Sequence, residues 1–188
     1  MRDDLERILF HETTILARLD ELAEQITRDH LGKELSVVVI LHGGMVLMAD
    51  LLRRVHMPLW IETLTASSYH GGTASKGVVD LGPDGLPDVK GRHVLILDDI
   101  LDTGLTLATV KKQLIESGGA EGVRTCVLLR KKKERAVRIG ADYVGFEIGD
   151  EFVVGYGLDF AGRYRNLPFI GVLKDEVIRG ELPGKGVE

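Results

Sequence analysis

Residues 94–107 read VLILDDILDTGLTL. Four consecutive apolar residues, Val94, Leu95, Ile96 and Leu97, predict a strand covered on both faces, because a half-exposed strand would alternate apolar with polar. Carboxylates follow at Asp98, Asp99 and Asp102, where such a strand would reach its carboxyl end. Ligands of open parallel α/β sheets bind at that end. From Gly104 the chain resumes with Leu107, Val110 and Leu114 at helical spacing and stops at Ser117-Gly118-Gly119. A helix start therefore sits beside the carboxylates. Its unpaired N–H groups and positive dipole end favour a phosphate, Gly104 permits close approach, and the Thr103 and Thr106 hydroxyls add donors. Carboxylates next to a phosphate call for Mg²⁺ or sugar hydroxyls as the third party, so the pattern predicts a site for a phosphorylated sugar.

The same logic extends outward. Residues 37–41 read as a second buried strand, Gly43-Gly44 as its exit turn and 45–55 as a helix. Strands are expected at 59–65, 123–129 and 142–146, with 94–97, 105–116 and 123–129 forming a βαβ unit. Leu5, Ile8, Leu9, Ile15, Leu16, Leu19, Leu22 and Ile26 recur at roughly helical spacing and predict one or two helices in the first 30 residues. The glycine- and proline-rich segment 66–91 is long for a plain connection and reads as a functional loop with a hairpin around 76–81.

A chain of 188 residues suits one domain with its own core. The single cysteine, Cys126, excludes an internal disulfide, and its apolar surroundings mark a buried thiol rather than a nucleophile. The acidic start MRDDLERILF does not read as a signal peptide, and the apolar runs are far too short to span a bilayer. A cytoplasmic protein without a membrane partner is expected. The net charge of −5 argues against a nucleic-acid partner. Seven of the ten aromatic residues fall between 143 and 169, outside the phosphate unit, where they could serve a planar ligand, although core packing accounts for most of them singly.

The stretch 94–107 resembles the phosphoribosyl pyrophosphate (PRPP) signature of type I phosphoribosyltransferases, and further segments narrow the resemblance to hypoxanthine-guanine phosphoribosyltransferases. These are LHGG (41–44), ASSYHGG (66–72), LLRK (128–131), GFEIGDEFVVGYGLDF (145–160) and RYRNLPFIG (163–171), in the family's order. The resemblance implies an α/β type I phosphoribosyltransferase fold, a twisted and mainly parallel sheet flanked by helices with a small hood subdomain. It implies a single domain over 1–188, with a core at about 33–148, a hood from 149–188 joined by the N-terminal segment, and a mobile loop at 66–80.

The implied reaction is displacement at C1 of PRPP, a purine nitrogen replacing pyrophosphate through a transition state of oxocarbenium character. On the matching positions Asp98 and Asp99 hold the ribose hydroxyls, directly or with Mg²⁺, and fix the sugar while charge develops. Asp102 is the general base for purine N7, a role compatible with capping the helix that follows. Thr103, Gly104, Leu105 and Thr106 wrap the 5′-phosphate, Leu105 by its N–H alone. His42 and Gly43 belong to the pyrophosphate loop, where a non-proline cis peptide recurs and would here join Leu41 to His42. Arg165 reaches pyrophosphate. Lys131 donates to the purine 6-oxo group, which disfavours adenine. Phe152 stacks on the purine, Val153 reads its edge through the backbone, and Asp159 lies near its other edge and a second Mg²⁺. Ser68 and Tyr69 begin the lid that excludes water. The family usually has Lys or Arg where His42 stands, which leaves its backbone role but not a side-chain charge, and Glu where Asp98 stands, which implies altered PRPP affinity rather than lost activity.

The expected partners are thus PRPP and a 6-oxopurine, hypoxanthine or guanine, with Mg²⁺, in a homodimer or homotetramer. Xanthine shares the 6-oxo group and stays open. An adenine or pyrimidine phosphoribosyltransferase explains the PRPP signature but not EFVVGYGLDF or the place of Lys131. A regulator that binds RNA on this fold conflicts with the acidic balance. A PRPP sensor without turnover would need no base at Asp102.

Overall fold

A computed structural model of the chain describes residues 1–68, 79–81, 85–134 and 137–180. Its strands are β1 (Leu5–Phe10), β2 (Leu35–Leu41), β3 (Trp60–Thr65), β4 (Ser67–Ser68), β5 (Val79–Asp80), β6 (His93–Leu101), β7 (Gly122–Lys131), β8 (Tyr143–Ile148), β9 (Val153–Val154) and β10 (Ile170–Leu173). The helices are α1 (Glu12–His30), α2 (Gly44–Leu52), α3 (Leu105–Glu116) and the single turn α4 (Asp175–Ile178).

The main sheet runs β3-β2-β6-β7-β8 with every neighbouring pair parallel. Successive strand residues point to opposite faces, and the core divides accordingly. Val37, Val39, Leu95, Leu97, Cys126 and Leu128 pack with Ile15, Leu19 and Leu22 of α1 and Leu47 and Leu51 of α2. Val38, Ile40, Val94, Ile96 and Val127 pack with Leu107, Val110 and Leu114 of α3. Both faces are covered, which is why 94–97 carries no polar alternation. Cys126 is free and fully buried, and burial pushes its thiol up to about 12. Among the described residues no helix is long and apolar enough to cross a membrane.

Strand order reverses between β2 and β6. From β2 the chain crosses through α2 to β3 on one side, and from β6 through α3 to β7 on the other. The pairing of β2 with β6 runs from Leu35↔His93 to Val39↔Leu97 and ends there. Beyond it β2 stays on β3 as far as Leu41↔Thr65, while β6 stays on β7 as far as Leu101↔Arg130. A crevice opens between the two diverging strand ends, the place where such sheets bind ligands.

Three expectations change. The carboxylates do not mark the end of β6, because the ladder to β7 continues through Asp98↔Val127 and satisfies the backbone after β2 has left. The first 30 residues hold one α-helix, and Leu5–Phe10 is a strand antiparallel to β10, with register shifts along the pair. Its partner lies at the other end of the sequence, out of reach of local periodicity. The pair β4–β5 is antiparallel, with Ser68 opposite Val79, so the hairpin takes in more chain than 76–81. Tyr69 and the rest of 69–78 lie outside the described residues.

Helix α3 ends as read from Ser117-Gly118-Gly119: Gly118 N–H donates to Gln113 O, Ala120 N–H to Leu114 O, and Gly119 takes φ 66°. A second, antiparallel sheet joins both ends of the described chain in the order β1-β10-β9, with Leu5, Val154, Tyr164, Leu167, Phe169 and Leu173 packed together. This part is tied to α2 twice. The Tyr156 hydroxyl donates to Asp50 Oδ2 at 2.6 Å, and Gly157 (φ 100°) lies so close that a Cβ there would come within 2.3 Å of Gly43 O. Gly157→Ala therefore meets both a disfavoured φ and a backbone oxygen, and is expected to cost about 2–4 kcal/mol. Urea unfolding should show a lower midpoint at unchanged slope.

Candidate active site

The crevice at the strand divergence is a cleft of about 360 Å³ lined by Leu41, Gly43, Asp98, Asp99, Asp102, Thr103, Gly104, Thr106, Asp159 and Arg165, with apolar residues between them. Residues from three distant parts of the sequence meet there. The β2 exit supplies Gly43, after a cis peptide bond between Leu41 and His42. Ideal Cβ placement on Gly43 would fall 1.9 Å from Asp99 Oδ2, so only glycine leaves room for that carboxylate. The His42 side chain is exposed and does not line the cleft.

The β6 end supplies the carboxylates. Asp98 is buried, Asp99 half-buried, and Asp99 N–H donates to Asp98 Oδ1 at 3.0 Å. Burial, and next the Asp99 charge, raise the Asp98 carboxyl well above the ordinary carboxylate range. Burial also raises Asp99, against the opposing pull of hydrogen bonds and the Arg165 charge. Gly104 (φ 82°) is the N-cap of α3, and no side chain caps the helix. Asp102 therefore does not cap. Thr103 Oγ1 accepts from Leu105 N–H at 3.4 Å, and Thr103, Gly104 and Thr106 at the start of α3 line the cleft.

Asp102 lies instead among lysines. Lys131 Nζ is 3.4 Å from its Oδ2 and Lys133 Nζ 2.6 Å from its Oδ1. Both ammonium groups also reach Asp150 Oδ1, at 3.2 Å and 2.8 Å. These carboxylates hold the Lys133 ammonium above the usual lysine range, Asp102 most strongly. Lys133 and Asp150 were not among the candidates from the sequence, where Lys131 alone of the run 130–133 was singled out. The missed signal is period two. In extended chain Lys131 and Lys133 share one side, while Arg130 and Lys132 turn to the other and both pair with Glu147.

The C-terminal segment supplies the rest. Arg165 donates to Gly157 O at 2.6 Å and pairs with Asp159 Oδ1 at 2.7 Å, while Asp159 Oδ2 accepts from Gly162 N–H. Asp159 is thus already compensated, and among the described residues no three His, Cys, Asp or Glu side chains gather as a metal cage. Asp159, expected near a second Mg²⁺ apart from the Asp98–Asp99 pair, lines the cleft paired with Arg165. Phe152 is exposed and meets Phe160 edge-on at 5.5 Å, and Val153 is buried in β9. Lys131, Phe152 and Val153 lie outside the cleft lining.

A buried carboxylate pair at the mouth of a parallel-sheet crevice, facing a helix N-terminus through a glycine, defines a nucleotide- or sugar-phosphate-handling site. Residues 8–161 match the phosphoribosyl transferase domain family. A hypoxanthine-guanine phosphoribosyltransferase of Streptococcus pneumoniae is 44% identical over 177 residues, covering 94% of this chain and 98% of its own length. The crystal structure of a hypoxanthine phosphoribosyltransferase from Staphylococcus aureus superposes with a TM-score of 0.88 at 44% identity, covering 94% of this chain and 96% of that one. A hypoxanthine-guanine phosphoribosyltransferase structure from Bacillus anthracis gives 0.82 at 39% identity over 90% of this chain and 99% of that one. The chain belongs to the phosphoribosyltransferase family. Within it, the chain falls among the hypoxanthine-guanine phosphoribosyltransferases.

The buried pair carries a cost that can be measured. A carboxyl whose pKa is raised by folding stabilises the fold at low pH and loses that contribution as pH rises through the raised value. Asp98→Asn removes the titration, so the ligand-free variant should melt a few degrees higher than the parent at pH 8. The advantage should shrink as the two proteins are compared at progressively lower pH by differential scanning calorimetry.

Proposed function

We propose that the protein transfers the 5-phosphoribosyl group of PRPP to a 6-oxopurine, hypoxanthine or guanine, releasing pyrophosphate and giving IMP or GMP for purine salvage. The observation that carries this reading is the convergence in one cleft of the Asp98–Asp99 pair, Asp102 and the α3 N-terminus, with Lys131 held against Asp102. A phosphate suits the N-terminal N–H groups of α3 with Thr103, Gly104 and Thr106. Asp98 and Asp99 suit the ribose hydroxyls, and Gly43 and Arg165 suit the leaving pyrophosphate.

Mg²⁺ fits the donors present. Two neighbouring carboxylates short of a cage are what a small hard cation uses when phosphate oxygens complete its shell, and burial raises the pKa of both, so a cation beside them would favour their charged forms. When bound, the ion neutralises charge on PRPP and on the departing pyrophosphate. The chain's own groups do the remaining work. Asp102 accepts the N7 proton as the new bond forms at C1, Lys131 donates to the 6-oxo group and so rejects a 6-amino group, and Phe152 supplies a stacking face. The small sheet of β1, β9 and β10 serves as a hood above the base, and 66–80, with Ser68 and Tyr69, as a lid.

A homodimer or homotetramer is supported by Trp60 and Ile61, exposed on the outermost strand of the main sheet. A cytoplasmic location is supported by the single buried thiol.

The test is product formation from PRPP and Mg²⁺ with hypoxanthine, guanine, xanthine, adenine and uracil offered separately. Turnover confined to the 6-oxopurines supports the reading, and turnover with adenine or uracil, or with none, overturns it. Asp102→Asn should lower kcat by about 10²–10⁴-fold, the range of general-base catalysis, with little change in PRPP affinity measured by calorimetry. Equal losses in both would remove Asp102 from that role.

A further inference from the structure

Asp102, Lys131, Asp150 and Lys133 form a ring of alternating charge. Asp102 meets Lys131 at 3.4 Å and Lys133 at 2.6 Å, and Asp150 meets the same two lysines at 3.2 Å and 2.8 Å. Three members belong to elements that the proposed function places around the purine: the base after β6, the 6-oxo donor at the end of β7, and the turn that leads into Phe152. Lys133 has no part in that reading. It lies one pleat beyond Lys131, on the same side of the extended chain, where Lys132 N–H still bonds Ile148 O.

We propose that Lys133 is a positioning residue for purine binding: it supplies the counter-charge that Asp102 and Asp150 need when Lys131 turns from them to the base oxygen. The inference rests on the purine phosphoribosyltransferase reading and adds to it a residue that never touches substrate. Its physical basis is the count of charges. Lys131 is buried and Asp102 Oδ1 is out of solvent with no aligned hydrogen-bond donor, so charge on either group is costly without a partner. With Lys133 present, two cations face two carboxylates, and one cation can be lent to the base. Without it, Lys131 is the one ammonium left on both carboxylates among the described residues, and presenting it to the base removes that compensation. Purine binding then becomes harder while the PRPP side of the cleft, built from Gly43, Asp98, Asp99 and the α3 N-terminus, is untouched.

The charge count gives a test that a merely structural role would not pass. Lys133→Met keeps the apolar stem and removes the charge, and should raise the KM for hypoxanthine about tenfold while the KM for PRPP stays within about twofold, roughly one hydrogen-bonded charge partner's worth. Lys133→Arg should restore the purine KM to near the parent value. The decisive variant is Lys133→Met with Asp150→Asn, which returns the ring to one cation and one carboxylate and should recover most of the lost purine affinity. A Lys133→Met enzyme with unchanged purine KM, one that loses both KM values equally, or a double variant no better than the single one would each overturn the inference. A parent enzyme that turns over no purine would overturn the proposed function and this inference with it, so the two failures are told apart by the parent's own activity.

Discussion

The site depends on one divergence of hydrogen bonding. β2 and β6 pair through Val39↔Leu97 and then separate, each held by its outer neighbour. Everything polar in the cleft is placed by that event. Asp98 and Asp99 remain on a strand fixed by β7, so their backbone is rigid, while the side of β6 that faced β2 now faces open space. The β2 chain turns away at His42-Gly43 into α2, and Gly43 presses so closely on the Asp99 carboxylate that no side chain fits between them. A loop-borne carboxylate pair would relax toward water. A strand-borne pair cannot, and the raised pKa values of Asp98 and Asp99 are the electrostatic record of that confinement.

Such confinement is unfavourable for the empty protein and useful for a cationic or hydroxyl-rich ligand, because the groups need no reorganisation when it arrives. The opposing choice is visible on the other wall of the cleft. Asp159 and Arg165 neutralise one another and tie to Gly157 and Gly162, so that wall carries little uncompensated charge. One wall stores a demand for positive charge and the other is self-satisfied.

Much of this was legible in 94–107 alone. The continuous apolar run requires two covered faces, the turn chemistry of Asp102-Thr103-Gly104 places the helix start, and Ser117-Gly118-Gly119 ends the helix where the carbonyls of Gln113 and Leu114 are met. Local pattern failed where the partner was remote. Leu5, Ile8 and Leu9 fit a helical stripe as well as a short strand, and only pairing with Ile170–Leu173 decides between them. The sequence does not show that Arg165 pairs with Asp159. Lys133 was hidden in a run of four cations, because composition averages over the alternation that gives Arg130 and Lys132 to Glu147 and turns the other two toward Asp102.

The two walls are joined through α2. Its first residues carry Gly43 and Gly44 at the bottom of the crevice, and Asp50 near its other end receives the Tyr156 hydroxyl. Gly157, one residue on, lies against Gly43 O, so the segment bearing Asp159 and Arg165 is pinned at both ends of one short helix. Motion of the antiparallel sheet relative to the main sheet must then either carry α2 with it or break the half-buried Tyr156–Asp50 hydrogen bond, which leaves the Asp50 carboxylate to Arg53 alone among the described residues. Since α2 packs through Leu47 and Leu51 into the core beneath β2 and β6, the segment is held to the same body that holds the Asp98–Asp99 pair. The distance between the carboxylate pair and Arg165 is therefore set by core packing rather than by loop conformation, which is the condition for a leaving group to be met by fixed rather than searching charge.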